Sequence, residues 1–316
     1  MKTIKCGDMT IPCIGIGTWS WGSGDNGSDD VFGSTYSAEE LKPVFDEAMK
    51  MGFNLFDTAY VYGMGSSEKI LGSFIKESDE EVIASTKFTP DENTNSDDLE
   101  KSVEGSLERL NKKSLDIYWI HDACDVEKWT SEIIPYIKNH HIRYAGVSNH
   151  NLEQVKKAYE ILQKENIKLS AVQNHLSLLY RESEKSGLLK WCRDNDVLFF
   201  SYMVLEQGFL TGKYNEDNLF KSGSYRSECY DIKKFRAVKP LIEEMKKTAD
   251  KYDISVSAVA IQYALSKGTV PIVGVTKEKY LKDLSDAAGI QISLDDVRLL
   301  EETADLVKVD VKTEWE

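Results

Sequence analysis

The sequence predicts an α/β fold: a closed (β/α)8 TIM barrel preceded by a β-hairpin, with a long lid loop after the seventh strand and a single domain over residues 1–316. Three observations carry this expectation. Short apolar runs alternate with amphipathic helical patterns eight times along the chain. Residues able to do chemistry recur just past the C-terminal ends of the strands, where barrel enzymes carry their sites. One stretch, about residues 206–235, is long and unpatterned, and a loop of that length in a compact domain is usually functional.

Residues 1–12 hold two short alternating runs about Gly7-Asp8, the pattern of a small β-hairpin. Ile14-Gly15-Ile16-Gly17 reads as the first barrel strand. Leu41, Val44, Phe45, Ala48 and Met49 fall at i, i+3, i+4, i+7 and i+8, which predicts a helix over 38–51 stopped by Gly52. Further strands are expected at 53–56, 81–86, 115–120, 142–147, 169–172, 197–201 and 269–273. Helices are expected near 66–76, 96–110, 128–139, 151–164, 184–195, 236–266 (two pieces, broken around Tyr252-Asp253) and 277–287, with an appended helix near 294–305. Eight strand-helix units mean a parallel sheet, either a closed barrel or an open doubly wound sheet, and with no residues left for a second domain the barrel is the economical solution. No repeat of 20–50 residues is visible.

Hydrophobic residues make up 41% of the chain and aromatics 10%, enough for a large core. A formal net charge of −14 argues against nucleic acid and acidic membrane surfaces as partners, although a small anion needs only a few local cations or helix N-termini. The five cysteines, Cys6, Cys13, Cys124, Cys192 and Cys229, are odd in number and widely spaced, as in a reduced intracellular protein without a thiolate metal site. The first residues lack a signal-peptide apolar region and no run of about 18 apolar residues occurs, so a cytoplasmic location is expected, and Asn26-Gly27-Ser28 is not read as a glycosylation site. Charge says nothing of the oligomeric state.

Asp57 follows the second barrel strand, Lys87 the third, His121 the fourth, Ser148 and Asn149 the fifth, Gln173 and Asn174 the sixth, Tyr202 the seventh, and Gly274 with Thr276 the eighth. In a barrel these positions converge on one mouth. Either Asp57 or Lys87 alone reads as half of a structural ion pair. With Tyr62 added the set reads as chemistry, because an ammonium beside a phenol is expected to lower its pKa by about 1 to 3 units and make it a usable general acid. His121 is open to three readings: a backbone-bonded barrel histidine, a metal ligand, or a donor to a substrate oxygen. Metal is the weakest of these, since no second His or Cys stands at ligand spacing. His140-His141 at a helix end read as surface residues. Gly15-Ile16-Gly17 and Gly63-Met64-Gly65 do not complete a dinucleotide-binding fingerprint and read as tight turns, and Ser66-Ser67-Glu68 reads as a capped helix start. Trp19, Trp21, Tyr60, Trp119 and Trp129 are either an aromatic wall for an apolar substrate or packing under the loops.

These residues resemble the aldo-keto reductase family. The similarity lies in Gly17-Thr18-Trp19, Asp57-Thr58-Ala59 with Tyr62-Gly63 and Ser67-Glu68, Lys87, His121 after Leu115-Asp116, Gly146-Val147-Ser148-Asn149, Gln173, the run Gly208 to Tyr214, and Gly274. The resemblance implies a barrel that binds NADPH or NADP+ extended across its mouth, with NADH the alternative, and passes hydride to a small-molecule carbonyl. It implies Tyr62 as general acid, Lys87 and Asp57 as the pair that tunes it, and His121 as the donor orienting the carbonyl. It implies Ser148, Asn149 and Gln173 on the carboxamide and Tyr202 stacked on the nicotinamide, with Gly17, Thr18, Trp19, Asp57, Leu205 and Gly208 along the cofactor. Lys213 and Arg226 would reach the pyrophosphate and adenosine end, and Gly274, Thr276, Tyr280 and Asp283 the adenosine 2′-phosphate and adenine. Trp19, Tyr62 and His121 would face substrate, and no metal is implied. Two departures stand out. Met203-Val204-Leu205 replaces the usual Ser-Pro-Leu beside the nicotinamide, and Tyr280 with Asp283-Leu284 replaces the usual basic or Gln and Glu-Asn residues near the adenosine, with Lys277 a substitute cation.

Two functions are compatible with this reading: a reductase of aldehydes or ketones, or a cofactor-binding sensor subunit resembling the β-subunits of potassium channels. Substrate identity is not legible.

Overall fold

An antiparallel hairpin opens the chain, β1 (Thr3–Cys6) and β2 (Met9–Pro12), turned at Gly7 with φ 60°. The computed structural model describes residues 1–312. Eight further strands close a parallel barrel in chain order: β3 (Gly15–Gly17), β4 (Leu55–Asp57), β5 (Ile83–Phe88), β6 (Leu115–Ile120), β7 (Ile142–Ser148), β8 (Leu169–His175), β9 (Leu198–Tyr202) and β10 (Val270–Gly274), with β10 paired back onto β3. Around it run α1 (Ser28–Phe32), α2 (Ala38–Lys50), α3 (Ser66–Glu77), α4 (Ser96–Arg109), α5 (Val126–Glu132), α6 (Ile134–Lys138), α7 (Leu152–Lys164), α8 (Glu182–Lys185), α9 (Leu188–Asp194), α10 (Tyr225–Cys229), α11 (Ile232–Tyr252), α12 (Val256–Ser266), α13 (Leu281–Gly289) and α14 (Leu294–Leu306).

The period-two alternation of the strands builds the barrel in layers. Leu55, Ile83, Ile117, Trp119, Ala171, Phe200, Val270 and Ile272 point inward and pack together, and Cys6, Met9 and Ile11 of the hairpin join them from below as a plug. Each large side chain buried there contributes about 1.5 to 3 kcal/mol. Outward residues such as Phe56, Ala84, Tyr118, Val147, Val172 and Val273 pack under the helices. One step further along the same inward rows come Asp57, Lys87, His121, Ser148, Gln173, Tyr202 and Gly274. The apolar plug therefore floors a polar layer at the C-terminal mouth. Gly146 belongs to this arrangement, because a Cβ there would lie 2.3 Å from the Trp119 ring.

Local chemistry explains where the elements depart from the expected ones. The helix expected at 128–139 breaks at Ile133, with Pro135 opening α6. The one expected at 184–195 breaks at Gly187, φ 83°. The break near Tyr252-Asp253 falls where expected: Asp253 ends α11 with φ 53°, and the Ser255 side chain caps α12 by accepting from the Ala258 amide. The stretch 206–235 is not featureless. It holds a 3-10 segment at Glu206–Thr211 and α10, and α11 begins inside it at Ile232. Nor does it cover the mouth alone, because α1 in the loop after β3 packs against α10. Lys221 Nζ donates to the Gly33 carbonyl at 3.2 Å, and the Arg226 guanidinium lies 5.6 Å from the Phe32 ring centre.

Candidate active site

Lys87 is fully buried and all three of its ammonium donors are used: to Asp57 Oδ2 at 2.6 Å, to the Thr58 carbonyl at 2.8 Å and to the Tyr62 hydroxyl at 3.2 Å. Asp57 Oδ1 accepts from Gln173 Nε2 at 3.0 Å and from Ser85 Oγ. Tyr62 arrives on a tight loop in which Gly63 and Gly65 have φ 64° and 89°. A Cβ at Gly63 would lie 2.5 Å from the Ser23 carbonyl oxygen, so the turn is closed to larger residues. The Tyr62 ring stacks on Trp19 with centroids 5.6 Å apart and presents an edge to His121 at 6.4 Å. His121 Nδ1 lies 2.8 Å from Thr89 Oγ1.

The helix after this loop starts differently from its expected form. Gly65 is the N-cap of α3 and no side chain caps it. Ser67 and Glu68 turn inward instead. Ser67 Oγ donates to the Thr18 carbonyl at 2.7 Å and accepts from Thr58 Oγ1 at 3.0 Å, while Glu68 accepts from Thr86 Oγ1 and from Arg109 Nε, each at 2.6 Å. These bonds fasten the Tyr62 loop to three strands.

Electrostatics overturn one expectation. Burial pushes the Tyr62 phenol above its ordinary value near 10; Lys87 pulls it down but Asp57 raises it again, and the net direction is up. Lys87 is neutralised by the carboxylate 2.6 Å away, so Tyr62 faces a pair with little net charge. For Lys87 itself, burial opposes the charge, but Asp57 and then Tyr62 outweigh burial and hold the ammonium above the ordinary lysine value. Burial, with Lys87 second, pushes His121 well below 6.5. Near pH 7 the site therefore holds a protonated phenol, an ammonium and a neutral imidazole.

A cavity of about 690 Å³ opens above this layer, and Gly17, Trp19, Asp57, Tyr62, His121, Asn149, Gln173, Tyr202, Leu205, Gly208, Lys213, Arg226, Gly274, Thr276, Tyr280 and Asp283 all line it. Thr18, Lys87 and Ser148 lie behind its walls. The Thr18 hydroxyl is engaged with Ser67 Oγ and the Asp57 carbonyl, whereas Ser148 Oγ is buried without a protein partner. Asn149, at φ 58°, accepts from the Tyr202 hydroxyl at 2.6 Å, and the Tyr202 ring stacks on His175 at 5.6 Å. Burial lowers the Arg226 pKa against the pull of Tyr214. Burial also opposes the Lys213 charge, but Tyr214 and Tyr280 hold it above the ordinary value. Burial raises the Asp283 carboxyl, with Ser255 and Ser257 opposing.

Of the five aromatics read as wall or packing, only Trp19 lines the cavity. Trp21, Trp119 and Trp129 are core, and Tyr60 is exposed beneath the Arg109 guanidinium. The wall is completed by Phe32 and Tyr36 from the loop after β3, which the sequence reading passed over although it carries both aromatics among glycines and serines. Also missed were Ser85, Thr89 and Asp122, each one or two positions from a residue that was found. Glu206 was missed as well: its buried carboxylate accepts from Ser177 Oγ and from the Tyr230 hydroxyl at 2.9 Å, and lies 2.8 Å from His175 Nε2, joining both ends of the lid to the end of β8. Among the described residues no three His, Cys, Asp or Glu side chains cluster as metal ligands would, and no helix is long and apolar enough to cross a membrane.

Known proteins resemble this chain over nearly its whole length. The chain is 30% identical to the chloroplastic pyridoxal reductase of Arabidopsis thaliana over 96% of its own length and 86% of that protein's. It is 27% identical to the aldo-keto reductase yakc [NADP(+)] of Schizosaccharomyces pombe over 98% and 93%. Among solved structures, the glycerol dehydrogenase of Gluconobacter oxydans superposes with a TM-score of 0.82 at 25% identity, covering 99% of this chain and 98% of that one. The model of the Aldo/keto reductase family matches residues 13–305, which takes in every strand of the barrel and every residue of the Asp57, Tyr62, Lys87 and His121 group, and this chain is an oxidoreductase of that family.

Proposed function

We propose that this protein reduces an aldehyde or ketone to an alcohol with NADPH, Tyr62 being the general acid. One observation carries the reading: a phenol 3.2 Å from a buried ammonium, itself 2.6 Å from a carboxylate, stands edge-on to a neutral imidazole at the floor of one cavity. The cofactor fits by chemistry. Ser148 Oγ and Arg226 Nε are buried donors without protein partners, which a carboxamide oxygen and a phosphate would satisfy. Lys213, Lys277 and Arg226 supply positive charge along the same cavity, which favours the 2′-phosphorylated form. When bound, NADPH supplies the hydride.

The chain's own residues do the rest. His121 is neutral, and the tautomer this role requires has Thr89 Oγ1 donating to Nδ1 and the ring proton on Nε2, aimed at the carbonyl oxygen. Tyr62 gives its proton to that oxygen as charge develops on it. The departing proton leaves a phenolate that Lys87 stabilises at 3.2 Å, an interaction stronger in the transition state than before it. Asp57, fixed by Gln173 and Ser85, holds the ammonium in place. Trp19, stacked on the Tyr62 ring, holds the phenol at the cavity wall. The five cysteines are unpaired, which supports a cytoplasmic setting.

Tyr62→Phe tests the reading. It should keep NADP+ binding, followed by intrinsic fluorescence, and lose about 10² to 10⁴ in kcat on a good substrate. Turnover at the parent rate would refute the role of Tyr62. Tight cofactor binding by the parent, no turnover across a broad carbonyl panel, and co-purification with a membrane protein would instead favour the sensor-subunit role.

A further inference from the structure

Asp122 follows His121 directly, lines the same cavity, and is half-buried. Every other carboxylate lining the cavity has a clear partner: Asp57 has Lys87, and Asp283 leans on Ser255 and Ser257. Asp122 has only the Asn149 amide, donating at 3.4 Å, and no cation pairs with it among the described residues. Of the cavity's own cations, Arg226 lies against Tyr214, and Lys213 against Tyr214 and Tyr280, instead. A half-buried carboxylate in that state lacks compensation for lost water. Burial accordingly raises its pKa, with Asn149 alone opposing, and its charge is felt at the Tyr62 phenol, which it pushes further up.

Resting on the reductase reading, we infer that Asp122 selects the substrate: the preferred carbonyl compound carries a protonated amine on an arm that reaches Asp122 while its oxygen lies between Tyr62 and His121. Such a cation supplies the missing counter-charge. By neutralising Asp122 it also relieves the unfavourable field at Tyr62 and makes the phenol a stronger acid, so part of the gain appears in kcat. The net charge of −14 draws the same class of molecule toward the protein.

Three aldehydes test this with NADPH oxidation at pH 7: para-(dimethylaminomethyl)benzaldehyde, its neutral isostere para-isobutylbenzaldehyde, and para-(hydroxymethyl)benzaldehyde. The parent should favour the ammonium compound over the isostere by about tenfold or more in kcat/KM, and Asp122→Asn should bring that ratio to about one. Asp122→Glu should retain part of the preference. Turnover of the isostere by the Asn variant shows that it is folded. The same ratio in parent and Asn variant overturns the assignment while leaving the reductase reading intact. A parent preference for the hydroxymethyl compound that disappears in the Asn variant overturns the choice of a cation in favour of a neutral donor. No turnover of any of the three by the parent overturns the assignment, and the reductase reading falls with it only where the broad carbonyl panel is also inert.

Discussion

Replacing Lys87 by Met separates the structural from the chemical share of the buried pair. Lys87 is the only cation within 4.0 Å of Asp57 among the described residues, and it supplies the contact at Oδ2, while Ser85 and Gln173 hold Oδ1. Breaking one side of a buried ion pair costs about 3 to 5 kcal/mol, because it strands a charge without compensation. The two bonds that remain on Oδ1 place Lys87→Met toward the low end, about 3 kcal/mol. Adding Asp57→Asn removes the stranded charge and keeps a group that can accept from Ser85, so the double variant should recover about 2 kcal/mol of that loss. Urea unfolding at pH 7 measures both, with the slope m unchanged. Neutral pH suits the comparison: the Lys87 ammonium is held above its ordinary value, so its contribution is complete below about pH 10.4 and fades only as pH rises through the higher folded value. Lys87→Met within 1 kcal/mol of the parent, or a double variant no more stable than Lys87→Met, would refute the picture of a charged, mutually compensated pair.

The remaining predictions concern the proton inventory and the lid. His121 is neutral throughout the physiological range, so kcat/KM for reduction should show no acid limb between pH 6 and 7; a limb there that disappears in His121→Gln would overturn that protonation state. Glu206→Gln keeps the volume but weakens the bonds to His175, Ser177 and Tyr230, and should weaken NADP+ binding by about tenfold while hastening proteolysis in residues 213–230; unchanged affinity and cleavage would show that the carboxylate does not fasten the lid.

What the sequence made legible was whatever is imposed by periodicity. Strand alternation fixes which side chains enter the barrel, so Leu55 before Asp57 and Ile117 and Trp119 before His121 announce a floor and the polar layer on it. Helix breaks needed single-residue chemistry, and Gly187 with φ 83° gave no periodic signal. The lid was half legible. A long stretch without pattern marks a loop, but the pairing of α1 with α10 is a contact between segments nearly two hundred residues apart, for which neither carries a local signature. Tyr62 shows a further limit. The residues that surround it could be named from order alone, yet the direction of its pKa depends on how completely Asp57 cancels Lys87 and on how deep the phenol lies, and both are matters of distance.

That same distance argument gives the raised phenol a chemical sense. A general acid for carbonyl reduction must hold its proton until an alkoxide develops, and at neutral pH a phenol made more acidic by an unpaired ammonium would begin to lose it. Asp57 prevents this by compensating Lys87 in the resting site. The compensation is local: as negative charge arises on the phenol oxygen, Lys87 lies 3.2 Å from it, with Asp57 beyond on the ammonium's other contacts, so the attraction grows faster than the repulsion. The pair thus discriminates between ground and transition states by geometry. An Asp57→Asn variant should bear this out in the opposite direction from Lys87→Met, with a phenol that ionises at lower pH and an alcohol-oxidation rate whose alkaline rise begins earlier; a rise shifted to higher pH in both variants would refute the argument.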